Sequence, residues 1–227
     1  MSDSLQDNYP HHPANLEASR QQKADHRRTD GPNNVTDFLD NDYWIATHSG
    51  NWFDIRDPDP SAITLKDITW ALAKEQRFGN QLSRHYSVAD HSVILSRLAP
   101  DELALEALTH DAAEAYTGDI IGPVKRRLEG FKLIETTVDK AISRALGIHC
   151  GLKSEKVAYL DRMLLAAEVQ QFFGLSGTWP VLHEAELFQT AKKNLSWHLE
   201  NHLGAFASRV TFGFRLAELM TDQSTRS

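Results

Sequence analysis

The sequence predicts a mostly α-helical domain whose helices pack antiparallel through short loops. Three observations predict it. From Leu65 onward apolar residues recur at the three-and-four spacing of a buried helix face. Thr64, Ser87 and Ser154 stand where a helix start needs a capping oxygen, the first two with an acid (Asp67, Asp90) three residues on. Pro100, Gly147 and Gly174 stand where those helices should stop.

The elements follow in order. Residues 1–34 are rich in Asp, Asn, Gln, Arg and His, lack a hydrophobic period, and are expected to form a disordered polar tail that carries His11 and His12 in solvent. Residues 35–222 are expected to form the folded domain, with 223–227 as a short tail. Within Tyr43–Asp54, a short β-hairpin is expected around Ser49-Gly50. No helix can cross the turn Asp57-Pro58-Asp59-Pro60. The first helix then starts at Thr64, carries Leu65, Ile68 and Leu72, and is stapled by Ile63 against Ile68. A second runs from Ser87 through Val93, Ile94 and Leu98. A third is expected from Asp101 to Tyr116, buried along Leu103, Ala107 and Leu108, after which Gly118, Gly122 and Pro123 impose a loop. Phe131, Ile134, Val138, Ile142 and Leu146 mark a fourth helix, closed by Gly147. Val157, Leu160 and Leu164 mark a fifth, from Ser154 to Gly174. One or two helices between Val181 and Met220 complete the chain, and there is no internal repeat.

Charge narrows the function classes. Against 24 Lys and Arg stand 31 Asp and Glu, a net −7, which opposes a sequence-independent nucleic-acid binder because phosphates need a basic face. The lone Cys150 excludes an intrachain disulfide and a thiolate metal cluster. No apolar run approaches the ~18 residues of a membrane span. The opening residues are polar without an apolar stretch, so a soluble, cytoplasmic protein is expected.

The 11 histidines carry more information. His110 and Asp111 are adjacent, and neighbours on a helix project about 100° apart, so they can face one ion from two directions without completing its shell. Glu114 follows one turn later on the same side. His91 falls on the core side of the second helix, and Asp161 lies between Leu160 and Leu164-Leu165 of the fifth. A set of imidazoles and carboxylates from three helices leaves open coordination positions and suits Mn, Fe, Co or Mg better than a closed zinc site. His198 and His202, in the order H-L-E-N-H, do not match the zincin pattern and are expected at a surface or interface. His48, His149 and His183 have no assignable partners.

His91, His110-Asp111 and Asp161 resemble the H…HD…D signature of the HD-domain metal-dependent phosphohydrolases. Arg77-Phe78, Ser87 to Ser92, His110 to Asp119, and Pro123-Val124-Lys125 are more narrowly similar to the 5'-deoxynucleotidase-like branch, over residues 43–175. The resemblance implies an all-α helical bundle in which His91, His110, Asp111 and Asp161 hold a divalent cation (Mn, Co, Mg, Fe or Ni). It further implies that Glu114 and Asp119 are catalytic acids and that Arg77 and Lys125 grip phosphate. Phe78 stands where related nucleotidases carry a tryptophan that senses the absent 2'-hydroxyl; it keeps the apolar wall and lacks the indole N–H. Arg84, His85 and Tyr86, in the segment leading to the entrance, are further substrate-binding candidates. The expected activity is hydrolysis of nucleoside or deoxynucleoside 5'-monophosphates by a metal-activated water. Release of triphosphate from a dNTP, and a non-catalytic nucleotide-binding module, are the alternatives. The expected partner is a small nucleotide, without stable nucleic-acid or membrane binding, and a homodimer through the C-terminal helices is implied by the family.

Overall fold

A computed structural model describes residues 43–148, 154–175, 185–201 and 204–226. The polar tail, His149, Cys150, His183 and His202 lie outside these residues. Strand β1 (Trp44–Ala46) pairs antiparallel with β2 (Trp52–Asp54), Ile45 opposite Phe53. Thr47 N donates to Asn51 O (2.9 Å) and Gly50 N to Thr47 O (3.1 Å), which closes the hairpin where Ser49-Gly50 placed it. Gly50 sits at φ +88°, a conformation that disfavours any side chain.

Helix α1 (Leu65–Lys74) starts at Thr64, whose hydroxyl accepts from Asp67 N. The hairpin is fastened to this turn, because Ser49 donates both its N and its Oγ to Asp67 at 2.6 Å, while Thr64 Oγ1 donates at 2.7 Å. Burial pushes the Asp67 carboxyl up, but the Ser49 and Thr64 hydrogen bonds outweigh it and hold it below the usual aspartate range. Stability from this group is therefore complete above pH ~4, the unfolded value, and is lost as pH falls through the lower folded value. Asp67→Asn is expected to cost about 2–3 kcal/mol at neutral pH, as charge-assisted bonds are lost. The gap to the parent protein should close as pH drops below ~4; urea melts across that range check it.

Helix α2 (Val88–Leu98) begins with a complete capping box between Ser87 and Asp90. It is followed by α3 (Ala104–Thr109), α4 (Glu114–Thr117), α5 (Gly122–Lys125), α6 (Phe131–Leu146), α7 (Glu155–Phe173), α8 (Ala185–Asn201) and α9 (Gly204–Arg226). Residues 88–96 of α2 are buried throughout, because α1, α3, α7, α8 and α9 all pack on it. Two apolar clusters meet at this helix. Val88, Ala89 and Val93 join Phe53, Leu72, Leu108, Ile142 and Phe212, whereas Ile94 and Leu95 join Leu160, Leu164, Phe188 and Leu195. Among the described residues, no helix is long and apolar enough to cross a membrane.

Three expectations change. The third helix is not continuous from Asp101 to Tyr116. After α3 the backbone tightens, with Ala112 N bonded to Thr109 O and Glu114 N to Asp111 O, each three residues back. The expected loop at Gly122-Pro123 is the first turn of α5, where proline's missing N–H costs nothing. His198, expected at a surface or interface, is 1% exposed inside the chain's own fold and donates from Nε2 to Asp90 Oδ1 at 2.7 Å. The neighbours of Asp90 explain this: its carboxylate also accepts from Ser87 N, Ser87 Oγ and Ser208 Oγ, so one acid ties α8 and α9 to the start of α2.

Candidate metal centre

His91 lies in the middle of the buried stretch of α2 and is 0% exposed. Glu168, seven residues after Asp161 on α7, accepts from His91 Nδ1 at 2.6 Å. A carboxylate can only accept here, so Nδ1 carries a proton, and in the neutral ring Nε2 presents its lone pair. His110 is set in the same way by the tightened turn, since its Nδ1 lies 2.7 Å from the Ala107 carbonyl oxygen. That leaves Nε2 of His110 as a second lone pair. Each Nε2 is buried without a hydrogen-bond partner, and the two rings are tilted with centroids 5.3 Å apart.

The carboxylates close around these nitrogens. Asp161 Oδ1 lies 3.1 Å from His91 Nε2, and Asp111 Oδ2 lies 2.8 Å from His110 Nε2. One ligand atom from each of His91, His110 and Asp161 falls within 4.8 Å of the others. A lone pair held this close to a carboxylate oxygen is repulsive unless positive charge lies between them. The donor set therefore fits a divalent cation: two imidazole nitrogens and two carboxylates, with room for further oxygens. The structure thus brings His91, His110 and Asp161 into one group, with Asp111 beside His110.

Acids with unusual proton affinity border the group. Burial pushes the Glu114 carboxyl well up, and Asp111 and Asp119 add to this against Lys125 and Arg77. Glu114 Oε2 is buried without a hydrogen-bond partner, while Oε1 lies 3.7 Å from Lys125 Nζ. Asp119 follows Gly118, and its N donates to Glu75 Oε1 at 3.0 Å. Burial raises its carboxyl, Asp111 adds to the rise, and Arg77, His91 and Lys125 oppose it. A bound cation would act on both acids in the opposite sense.

Arg77 is the nearest cation. Its Nη2 donates to Glu168 Oε2 at 3.2 Å, Nη1 lies 3.9 Å from Asp111 Oδ2, and Nε is buried without a hydrogen-bond partner. Lys125 pairs with Glu135 and also faces Glu114. Phe78, next in the chain, adopts a left-handed backbone (φ 58°), as do Gly79 and Asn80 (φ 59° and 63°). For the two non-glycine residues this conformation costs roughly 1–3 kcal/mol each and persists only where its surroundings impose it. Here the Phe78 ring is held edge-on against Phe172 and Phe173, at 6.0 and 5.4 Å.

Arg84 and His85 are not brought to this group. Arg84 donates to the Leu199 carbonyl at the end of α8. His85 lies between Gln76 Nε2 (2.9 Å) and Ser208 Oγ (3.0 Å), so both serve the packing of the C-terminal helices. Conversely, Glu168 escaped the sequence reading although a signal existed. It repeats Asp161 at the seven-residue spacing that returns a side chain to the same helix face.

Comparison with known proteins adds relatives without an assigned activity. A 140-residue stretch is 40% identical to the uncharacterized protein YfdR of Escherichia coli (strain K12), covering 61% of this chain and 78% of that protein. A 134-residue stretch is 33% identical to the uncharacterized protein RCAP_rcc00048 of Rhodobacter capsulatus, covering 55% and 67% respectively. No family model matches the chain.

Proposed function

We propose that this chain, which belongs to one family with YfdR and RCAP_rcc00048, is an HD-domain, divalent-metal-dependent phosphohydrolase acting on nucleoside or deoxynucleoside 5'-monophosphates. One observation carries the reading. Two buried imidazoles, each fixed through Nδ1, carry Nε2 atoms without hydrogen-bond partners that face carboxylates, His91 toward Asp161 and His110 toward Asp111. A cation held by His91, His110, Asp111 and Asp161 supplies a lowered pKa to water and neutralises a phosphate oxygen.

The chain's own groups do the rest. Arg77, set between Glu168 and Asp111, offers a guanidinium with an uncommitted Nε to an anionic oxygen. Glu114, one turn beyond the ligand pair, takes the proton of the attacking water as its oxygen bonds to phosphorus. Asp119 gives a proton to the departing 5'-oxygen as the ester bond breaks. Phe78, with Phe172 and Phe173, offers an apolar wall to the nucleoside.

The test is a panel of NMPs, dNMPs and dNTPs with protein reconstituted with Mn, Co, Mg, Fe or Ni, its products identified by chromatography. Inorganic phosphate released from monophosphates is the expected result. Tripolyphosphate from dNTPs would replace it with a triphosphohydrolase. No turnover with any of the metals would leave a nucleotide-binding module.

A further inference from the structure

We infer that Glu168 is a positioning residue that sets a metal ligand and the phosphate grip at the same time; the inference rests on the metal-dependent function proposed above. Glu168 is 0% exposed, a placement that an acid tolerates only when its oxygens are fully used. They are used by three donors, one in α2 and two in the segment before it. Oε1 accepts from His91 Nδ1 (2.6 Å) and from Tyr86 Oη (2.5 Å), and Oε2 accepts from Arg77 Nη2 (3.2 Å).

The two halves of the carboxylate have separate jobs. Oε1 selects the His91 tautomer that leaves Nε2 free, and holds the ring so that Nε2 faces Asp161. Oε2 occupies one arm of Arg77 and so directs Nη1 toward Asp111, leaving Nε uncommitted. The Tyr86 hydroxyl, itself 1% exposed, holds the carboxylate from a third side. A glutamine could not replace this acid, because its amide keeps one acceptor oxygen and sets an NH2 group where the second oxygen must accept from a donor. Glu168 touches neither the reacting atoms nor the cation site, so its effect reaches both through His91 and Arg77.

Three readings test this, one of which needs no variant. In metal-free parent protein with labelled histidines, NMR in alkaline buffer should show His91 protonated on Nδ1; an Nε2–H tautomer overturns the inference. By equilibrium dialysis, folded Glu168→Gln should bind Mn²⁺ roughly 10–100-fold more weakly than the parent, the usual size of an outer-shell loss. Tyr86→Phe, which leaves both the His91 and Arg77 contacts in place, should stay near the parent value. Unchanged Mn²⁺ affinity in Glu168→Gln overturns the inference. At saturating Mn²⁺, inorganic phosphate should bind Glu168→Gln about tenfold more weakly, as expected for a displaced charge-assisted contact. Unchanged phosphate affinity overturns the shared role. Parent protein that binds no Mn²⁺ sinks the metal reading instead, and the tautomer then decides for or against Glu168 by itself.

Discussion

Asp161→Ala is expected to abolish metal retention and to lower turnover roughly a thousandfold or more, the rate equivalent of several kcal/mol of lost charge stabilisation. Asp161 is the better test of the centre than His91. The imidazole is fully enclosed, so its truncation would also open a cavity in the core and confuse loss of metal with loss of fold. The Asp161 side chain is 22% exposed at the inner face of α7, and removing it leaves Glu168 holding His91 through Nδ1. Elemental analysis after gel filtration, beside a thermal melt, separates the two effects. A variant that keeps a full complement of metal would remove Asp161 from the ligand set.

Glu114→Gln should behave differently, keeping its metal and losing about 10²–10⁴-fold in rate, the span of a general acid–base group. Loss of metal in that variant would make Glu114 a ligand instead. The same substitution should stabilise the metal-free protein. Burial, with Asp111 and Asp119 nearby, raises the Glu114 carboxyl above its unfolded value. Its stability contribution is therefore complete below the unfolded value and lost as pH rises through the folded one. A neutral glutamine does not suffer that loss. Melting curves should show the metal-free variant gaining on the parent protein as pH rises, with no such gain at acid pH, where Glu114 is itself neutral.

The caps made most of the fold legible. Thr64, Ser87 and Ser154 start helices because a side-chain oxygen beside an open amide is a local event that needs no knowledge of the rest of the chain. Gly147 and Gly174 end α6 and α7 in left-handed turns for an equally local reason. His91 and Asp161 meet because each lies on a helix whose buried face was readable. Other features were set at a distance. The tightening at His110–Ala113 follows from interactions around one turn rather than from propensity, so an apolar period running through it conceals the break. His198 is drawn inside by Asp90, 108 residues away in sequence. Arg84 and His85 lie next to the site in the chain, but their side chains were claimed by Leu199 and Ser208 from the C-terminal helices. The hydrophobic pattern of α7 left Glu168 looking like one more polar residue, because its partners come from α2 and from the segment before it.

The seven-residue interval between Asp161 and Glu168 makes α7 unequally tolerant of change. Substitutions at its outward positions leave both acids where they are. A single inserted or deleted residue between them would swing one carboxylate about 100° around the helix and slide it about 1.5 Å along the axis. Cation-facing and His91-facing acids would then no longer meet the same imidazole from its two sides. In homologues that keep the centre, drift in composition along this stretch should therefore be common, whereas gaps between these two positions should be absent.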